Sequence, residues 1–103
     1  MDSKQRGYII AALRKVWLFS KERALAKKRA KGSNRGDPYV CAMCCLAFKD
    51  VQVDHVVPVG KFIDWNTFMD RLFCEEIGLQ VLCKDCHLKK SAADRSELKV
   101  KSV

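Results

Sequence analysis

Apolar side chains in the first third of the chain recur at the spacing of a helix. Ile9, Leu13, Trp17 and Ser20 follow one another at intervals of three or four, and Val16 and Ile10 flank them. No proline interrupts this stretch. The pattern therefore predicts one long helix over residues 5–31, followed by a loop rich in Gly, Ser and Asn over residues 32–38.

The middle of the chain changes to a strand pattern and then returns to a helical one. Residues 51–57 are rich in β-branched side chains, and Pro58 ends the predicted strand. Asp64 is a suitable N-cap for a helix over residues 65–77, whose apolar positions fall on one stripe. Gly78 fits the residue that closes such a helix, where a left-handed conformation is common.

A second short strand is predicted over residues 79–83, and a helix should begin directly after it. Residues 91–94 resemble a new helix start, and the final residues are expected to fray. The elements together predict an α+β fold. A single domain spans residues 1–103: a basic N-terminal helix and loop (5–36), a core (37–95) with an inserted helix between its two strands, and a tail (96–103).

Charge is concentrated rather than evenly spread. The 103-residue chain has a formal net charge of +8, and residues 14–36 hold nine basic side chains against one acid. Such an excess suits a polyanionic partner, either nucleic acid or an anionic membrane surface, although a solvated helix face has the same composition. The candidate DNA contacts in this region are Arg14, Lys21, Lys27, Lys28, Lys31 and Arg35.

Cysteine usage depends on the compartment. The apolar stretch over residues 8–13 is cut off by Arg14 and Lys15, so it is too short for a usual signal peptide or a membrane span. A cytoplasmic location is therefore expected, with no membrane association. In a reducing cytoplasm the six cysteines are more readily metal ligands than disulfides.

Two C-x-x-C motifs predict a structural zinc site. Cys41 and Cys44 form the first, Cys83 and Cys86 form the second, and 38 residues separate the two motifs. Four thiolates complete a closed tetrahedral site that stabilises a fold without carrying chemistry. Cys45 is an alternative to Cys44 as a ligand, because it also follows Cys41 closely. Cys74 lies on the predicted amphipathic helix and is most simply a small buried apolar residue.

A second constellation involves the two histidines of the chain. His55 follows Asp54 on the first predicted strand, and His87 directly follows the second cysteine motif. A carboxylate and an imidazole can hold a divalent ion, and a histidine beside that ion suits a general base. One geometric difficulty stands, because neighbours on a regular strand point to opposite faces. In the alternative interpretation His55 is a surface residue and Asp54 pairs with a lysine.

In this order, these motifs resemble the HNH, or ββα-metal, endonucleases, in particular the small free-standing type found in bacteriophages. The resemblance rests on residues 39–44, 53–59, 65–74 and 79–91, and on the N-terminal helix with Leu13 and Arg14. It implies that Asp54 and His87 hold one catalytic Mg²⁺ or Mn²⁺ and that His55 activates water. It also implies that the four cysteines hold structural Zn²⁺ and that Lys89 and Lys90 lie near DNA phosphates.

The chain departs from the family pattern at one position. The resemblance leads us to expect an Asn five residues before Cys83, where it would help to orient the histidine base, but this chain has Gly78. Since Gly and Asn both tolerate the left-handed conformation, we expect the turn to survive while His55 loses an orienting partner. Asn66 is the nearest substitute in sequence.

Two functions from different classes follow. The first is a metal-dependent DNA endonuclease, expected to be phage-encoded, that nicks DNA or cuts both strands. The second is a zinc module with weak or no catalysis that binds DNA or inhibits a host protein. The resemblance also brings in phage packaging as a possible context. One domain has one active centre, so cutting both strands would need two copies or two events.

Overall fold

The computed structural model describes residues 1–101, with side chains for residues 1–95, and has a small α+β fold. Two helices precede two small antiparallel sheets, and a third helix separates the strands of the second sheet. The elements are α1 (Ser3–Trp17), α2 (Lys21–Ala30), β1 (Tyr39–Val40), β2 (Ala47–Phe48), β3 (Val51–His55), α3 (Trp65–Leu72), a 3₁₀ turn (Glu76–Gly78), β4 (Leu79–Cys83) and α4 (Lys84–Lys101). The predicted α+β class and the inserted helix are confirmed at this level.

The single N-terminal helix predicted over residues 5–31 is wrong, because the chain turns between α1 and α2. Ser20 is not part of the apolar stripe. It is the N-cap of α2, and its hydroxyl accepts a hydrogen bond from the Arg23 amide at 3.3 Å. Trp17, at the end of α1, is buried in the core, so the turn lets the second helix pack while the first half of α1 stays in solvent.

The second sheet pairs β3 with β4. The register runs from Val51 opposite Cys83 to His55 opposite Leu79. Strand β3 ends at His55, two residues before the predicted end at residue 57. It ends there because Leu79, the residue opposite His55, is the first residue of β4. One further bond, from the Val56 amide to the Gly78 carbonyl at 2.9 Å, extends the pairing past the strand.

The inserted helix α3 ends at Leu72 rather than near residue 77. Asp64 caps it as predicted, accepting from the Thr67 amide at 2.7 Å, and this bond keeps the pKa of Asp64 below its usual range. Gly78 lies in the 3₁₀ turn and is not left-handed. A Cβ atom at position 78 would lie 3.0 Å from the Cys74 sulfur, so close approach, not turn geometry, favours glycine there.

The core lies between α2, α3 and the second sheet. Its most buried members are apolar side chains from each of these elements: Ala26, Phe68, Leu72, Leu79 and Val81. Arg29 links α2 to the 3₁₀ turn and the start of β4. Its guanidinium donates hydrogen bonds to Glu76 and, at 2.9 Å, to the Leu79 carbonyl. A second cluster contains the fully buried Leu82 together with three of the cysteines, Cys41, Cys83 and Cys86.

The last helix is continuous. α4 runs from Lys84 to Lys101, so the predicted new helix start at residues 91–94 is wrong: Ser91 lies inside the helix. The predicted tail, residues 96–103, is helical as far as Lys101, and residues 102 and 103 lie outside the described part of the chain.

Replacing Ser20 by Ala should destabilise the protein by about 1 kcal/mol, because the Arg23 amide loses its capping partner. Ser20→Asp should retain stability, since Asp is an equally good N-cap. Urea unfolding followed by circular dichroism measures both. Equal stability of the Ala and Asp variants would contradict a capping role for Ser20.

Candidate metal centre and adjoining cleft

Four cysteines, from the loop after β1, the end of β4 and the start of α4, converge on one point. Cys41 and Cys44 lie in and beside the loop that joins β1 to β2, while Cys83 ends β4 and Cys86 lies in the first turn of α4. Their four sulfur atoms all lie within 4.8 Å of one another. This group could hold a metal ion, and four thiolates at such separations are typical of structural zinc. The loop is held to the second sheet by a bond from the Ala42 amide to the Val81 carbonyl at 2.8 Å.

The geometry decides between Cys44 and Cys45. Cys44 belongs to the convergent group, with its sulfur 3.9 Å from that of Cys83, and Cys45 does not. Cys45 instead provides the turn: it has a positive φ of 64°, and its amide donates to the Cys41 carbonyl at 3.0 Å. Cys74 lies beyond the end of α3 and not on it as predicted, but it is partly buried and packs against the core and beside Gly78.

The pKa values of Cys41 and Cys86 are shifted in opposite directions. Burial would raise the pKa of Cys41, but backbone hydrogen bonds around it outweigh burial and lower the pKa to about 6. The hydrogen bond with Cys83, burial and the neighbouring thiols raise the pKa of Cys86 to about 12. Crowded thiolates repel one another, so a bound cation would stabilise all four in the ionised form.

Asp54 faces α4. Its Oδ1 atom lies 3.9 Å from His87 Nε2, and its Oδ2 atom accepts from Lys90 at 3.0 Å and from Gln80 at 3.1 Å. Two ligand atoms that each lie about 2.1 Å from one ion can be at most about 4.2 Å apart. The 3.9 Å between the Asp54 and His87 atoms lies within this limit.

His55 is held from two sides. Its Nε2 atom lies 2.9 Å from the Leu72 carbonyl oxygen, and the Trp17 ring packs on the imidazole with centroids 4.8 Å apart. A carbonyl can only accept, so Nε2 carries the proton and Nδ1 has the free lone pair in the neutral ring. The expected loss of an orienting partner is therefore not found, because the end of α3 supplies a backbone acceptor.

Asp54 and His55 do contact different elements, as adjacent residues on a regular strand should. Asp54 contacts α4, while His55 contacts α1 and α3. One open cleft of about 340 Å³ nevertheless includes both. Its lining also includes Arg14, Lys15, Trp17, Leu18, Val53 and His87. The end of α1 thus closes one side of the region where the three predicted site residues meet.

The basic residues predicted to contact DNA fall into two groups. Arg14 lines the cleft, and Lys21, Lys28, Arg35 and Lys89 are exposed. Lys27 lies over the Tyr39 ring at 5.0 Å, and Lys31 donates to the Asn34 carbonyl at 2.6 Å. Lys15, also in the cleft lining, was not among the predicted contacts. The sequence signal that could have identified Lys15 as a contact is its position next to Arg14.

Lys90 has a different role from the one predicted. Its ammonium group contacts three oxygens: Asp54 Oδ2 at 3.0 Å, Asp94 Oδ2 at 2.8 Å and the His55 carbonyl at 3.0 Å. The side chain is only 15% exposed. Burial alone would lower the pKa of Lys90, but the hydrogen bonds to Asp94 and Asp54 raise it instead. An ammonium has three donors, so none is left for a DNA phosphate.

Comparison with family models, with curated proteins and with solved structures finds no match to this chain. Among the described residues, no helix is long and apolar enough to cross a membrane.

The four-cysteine group should bind one zinc ion per chain, and Cys83→Ser should abolish binding. The binding free energy of such sites, about 10 kcal/mol or more, rivals the total stability of a small domain, so chelation should unfold the protein. Native mass spectrometry and circular dichroism measure the two effects. Cys45→Asn, which keeps a residue that tolerates positive φ, is the matched control and should retain the ion. Zinc loss in both variants would contradict the ligand assignment.

Lys90→Met should cost about 3 kcal/mol of stability, because it leaves two carboxylates without their largely buried partner. Lys89→Met, at an exposed neighbouring position, should change stability by no more than about 0.5 kcal/mol. A pKa raised above 10.5 means that the contribution of Lys90 is complete at neutral pH and is lost only as the pH rises through the raised value. Urea unfolding at pH 7 measures the stability of both variants. An equal loss of stability in Lys90→Met and Lys89→Met would contradict the role assigned to Lys90.

Proposed function

We propose that this protein is a metal-dependent DNA endonuclease of the HNH type. The observation that carries the proposal is the cleft in which Asp54, His55 and His87 meet beside Arg14. A general base, a pair of ion ligands and a cationic side chain are the groups that phosphodiester hydrolysis needs.

His55 is the proposed general base. With Nε2–H donated to the Leu72 carbonyl, Nδ1 is the atom that would accept the proton of the attacking water. The indole of Trp17 covers the imidazole and limits its rotation. The free lone pair therefore has a fixed direction before substrate arrives, which is the kind of preorganisation that general-base catalysis requires.

Asp54 and His87 would hold a Mg²⁺ or Mn²⁺ ion. Such an ion, when bound, stabilises negative charge on the phosphate and on the leaving oxygen. Lys90 and Gln80 fix the carboxylate from its other oxygen, so Oδ1 remains directed at His87. Cys86 precedes His87 in the first turn of α4, so the four-cysteine group would also fix the position of this imidazole.

DNA is the proposed substrate because the charge around the cleft is positive. Arg14 and Lys15 line it, and Asp54, the one carboxylate among the described residues of the lining, is paired with Lys90. Exposed Lys21, Lys28 and Arg35 add charge on α2 and the loop after it. Such residues bind phosphates irrespective of sequence, and the affinity then falls steeply with salt.

The test is conversion of supercoiled plasmid in the presence of Mg²⁺ or Mn²⁺. The wild-type protein should cut, and His55→Ala should be slower by about 10²- to 10⁴-fold, the usual contribution of a general base. Gln52→Ala, at an exposed position on the same strand, is the control and should cut like the wild type.

Zinc content and melting temperature establish that the His55→Ala variant is folded. If the wild-type protein and His55→Ala both leave the supercoiled plasmid intact, with Mg²⁺ and with Mn²⁺, the endonuclease proposal is overturned. Retardation of DNA without cleavage would instead support a zinc module that only binds DNA.

A further inference from the structure

Phe19, in the turn between α1 and α2, has a side chain that the proposed chemistry does not use. It is 90% exposed, the highest value among the large apolar side chains of the described residues. Single exposed apolar residues are common and need no explanation. The position of Phe19 is what distinguishes it: its chain neighbours Trp17 and Leu18 line the cleft that holds the proposed active site.

The turn presents Phe19 from a fixed backbone. The Phe19 amide donates to the Val16 carbonyl at 3.0 Å, and the Ser20 amide donates to the Trp17 carbonyl at 2.9 Å. Trp17 itself is buried, which attaches the turn to the core. An aromatic side chain with two rotatable bonds on such a turn loses little entropy when a ligand covers it.

The charge around Phe19 decides what kind of ligand this is. Arg14, Lys15 and Lys21 lie on both sides of it in the chain and are exposed. A second copy of the protein has the same net charge of +8 and would be repelled. A polyanion would be attracted, and nucleic acid is the polyanion whose bases have apolar faces. An aromatic side chain among cations is typical of surfaces that bind bases by stacking or by insertion.

We propose that Phe19 is a base-contacting residue, packing its ring on the face of a nucleotide base in the DNA bound at the cleft. This inference rests on the proposed function for the identity of the polymer, but not on cleavage. In a duplex the ring would insert between two base pairs, and on a single strand it would stack on an unpaired base. Both modes use the same contact of an aromatic ring with a base.

The experiment measures affinity alone. A fluorescently labelled 20-nucleotide duplex and the corresponding single strand are titrated in the His55→Ala background, without added divalent ion, so that the DNA stays intact. Phe19→Ala should weaken binding about tenfold on at least one of the two DNAs, the usual effect of losing one stacked base. Phe19→Tyr should restore it, because the ring is kept.

Two controls separate base contact from structural damage and from phosphate contact. Tyr8→Ala removes an exposed aromatic side chain from the first half of α1, whose chain neighbours do not line the cleft, and should leave affinity unchanged. Phe19→Ala should keep the salt dependence of binding, whereas Arg14→Ala should lower the slope of log K against log salt by about one. The melting temperature of Phe19→Ala should be unchanged, because the side chain is exposed.

The outcomes are distinct. Weaker binding to the duplex identifies insertion, and weaker binding to the single strand alone identifies stacking. Unchanged affinity for both DNAs, or no DNA binding by the parent protein, overturns the proposal. A protein that binds DNA through Phe19 but never cuts it would overturn the endonuclease proposal and leave this one standing.

Discussion

The convergence of four cysteine sulfurs is the constraint on which the rest of the structure depends. It joins the loop between the two short strands β1 and β2 to the end of β4 and the start of α4. These segments have few apolar contacts of their own, since the cluster around Leu82 is small. A metal ion bound there would replace a core that so short a chain cannot build. His87 follows directly after the last of these cysteines, so the same constraint positions the cleft.

A second network, centred on Lys90, couples α4 to the strand that carries the proposed chemistry. Its ammonium group reaches one carboxylate on β3, one carboxylate on its own helix and the carbonyl at the end of β3. All three donors of the Lys90 ammonium group are engaged in this network, and Asp54 keeps one oxygen, Oδ1, directed towards His87. A largely buried cation that bonds three oxygens orients a carboxylate more firmly than solvent does, because every donor has a defined partner. The positive charge of the cleft comes from Arg14 and Lys15 of α1 and not from Lys90.

Several features could be predicted from the sequence because they depend on local chemistry. The cysteine spacing indicated the four-sulfur group, the β-branched run indicated β3, and Asp64 indicated the start of α3. Other predictions failed where a local signal was ambiguous. Ser20 suits both the polar edge of a helix and an N-cap, and burial of Trp17 decides for the cap. Gly78 suits a left-handed turn, but the neighbouring Cys74 sulfur explains it.

The sequence by itself determined the fold class, the cysteine group and the positive charge, because composition and spacing are properties of the chain. Only the tertiary structure decided which groups meet. Leu72 lies 17 residues from His55 in the chain, and Lys90 lies 36 residues from Asp54, yet these two contacts hold His55 and Asp54, which line the cleft. A backbone carbonyl carries no signal in the sequence, and a lysine looks the same whether it binds phosphate or a largely buried carboxylate. The packing of α3 and α4 on the second sheet determines which groups contact His55 and Asp54, because hydrogen bonds and ion pairs form only between groups that are close in space.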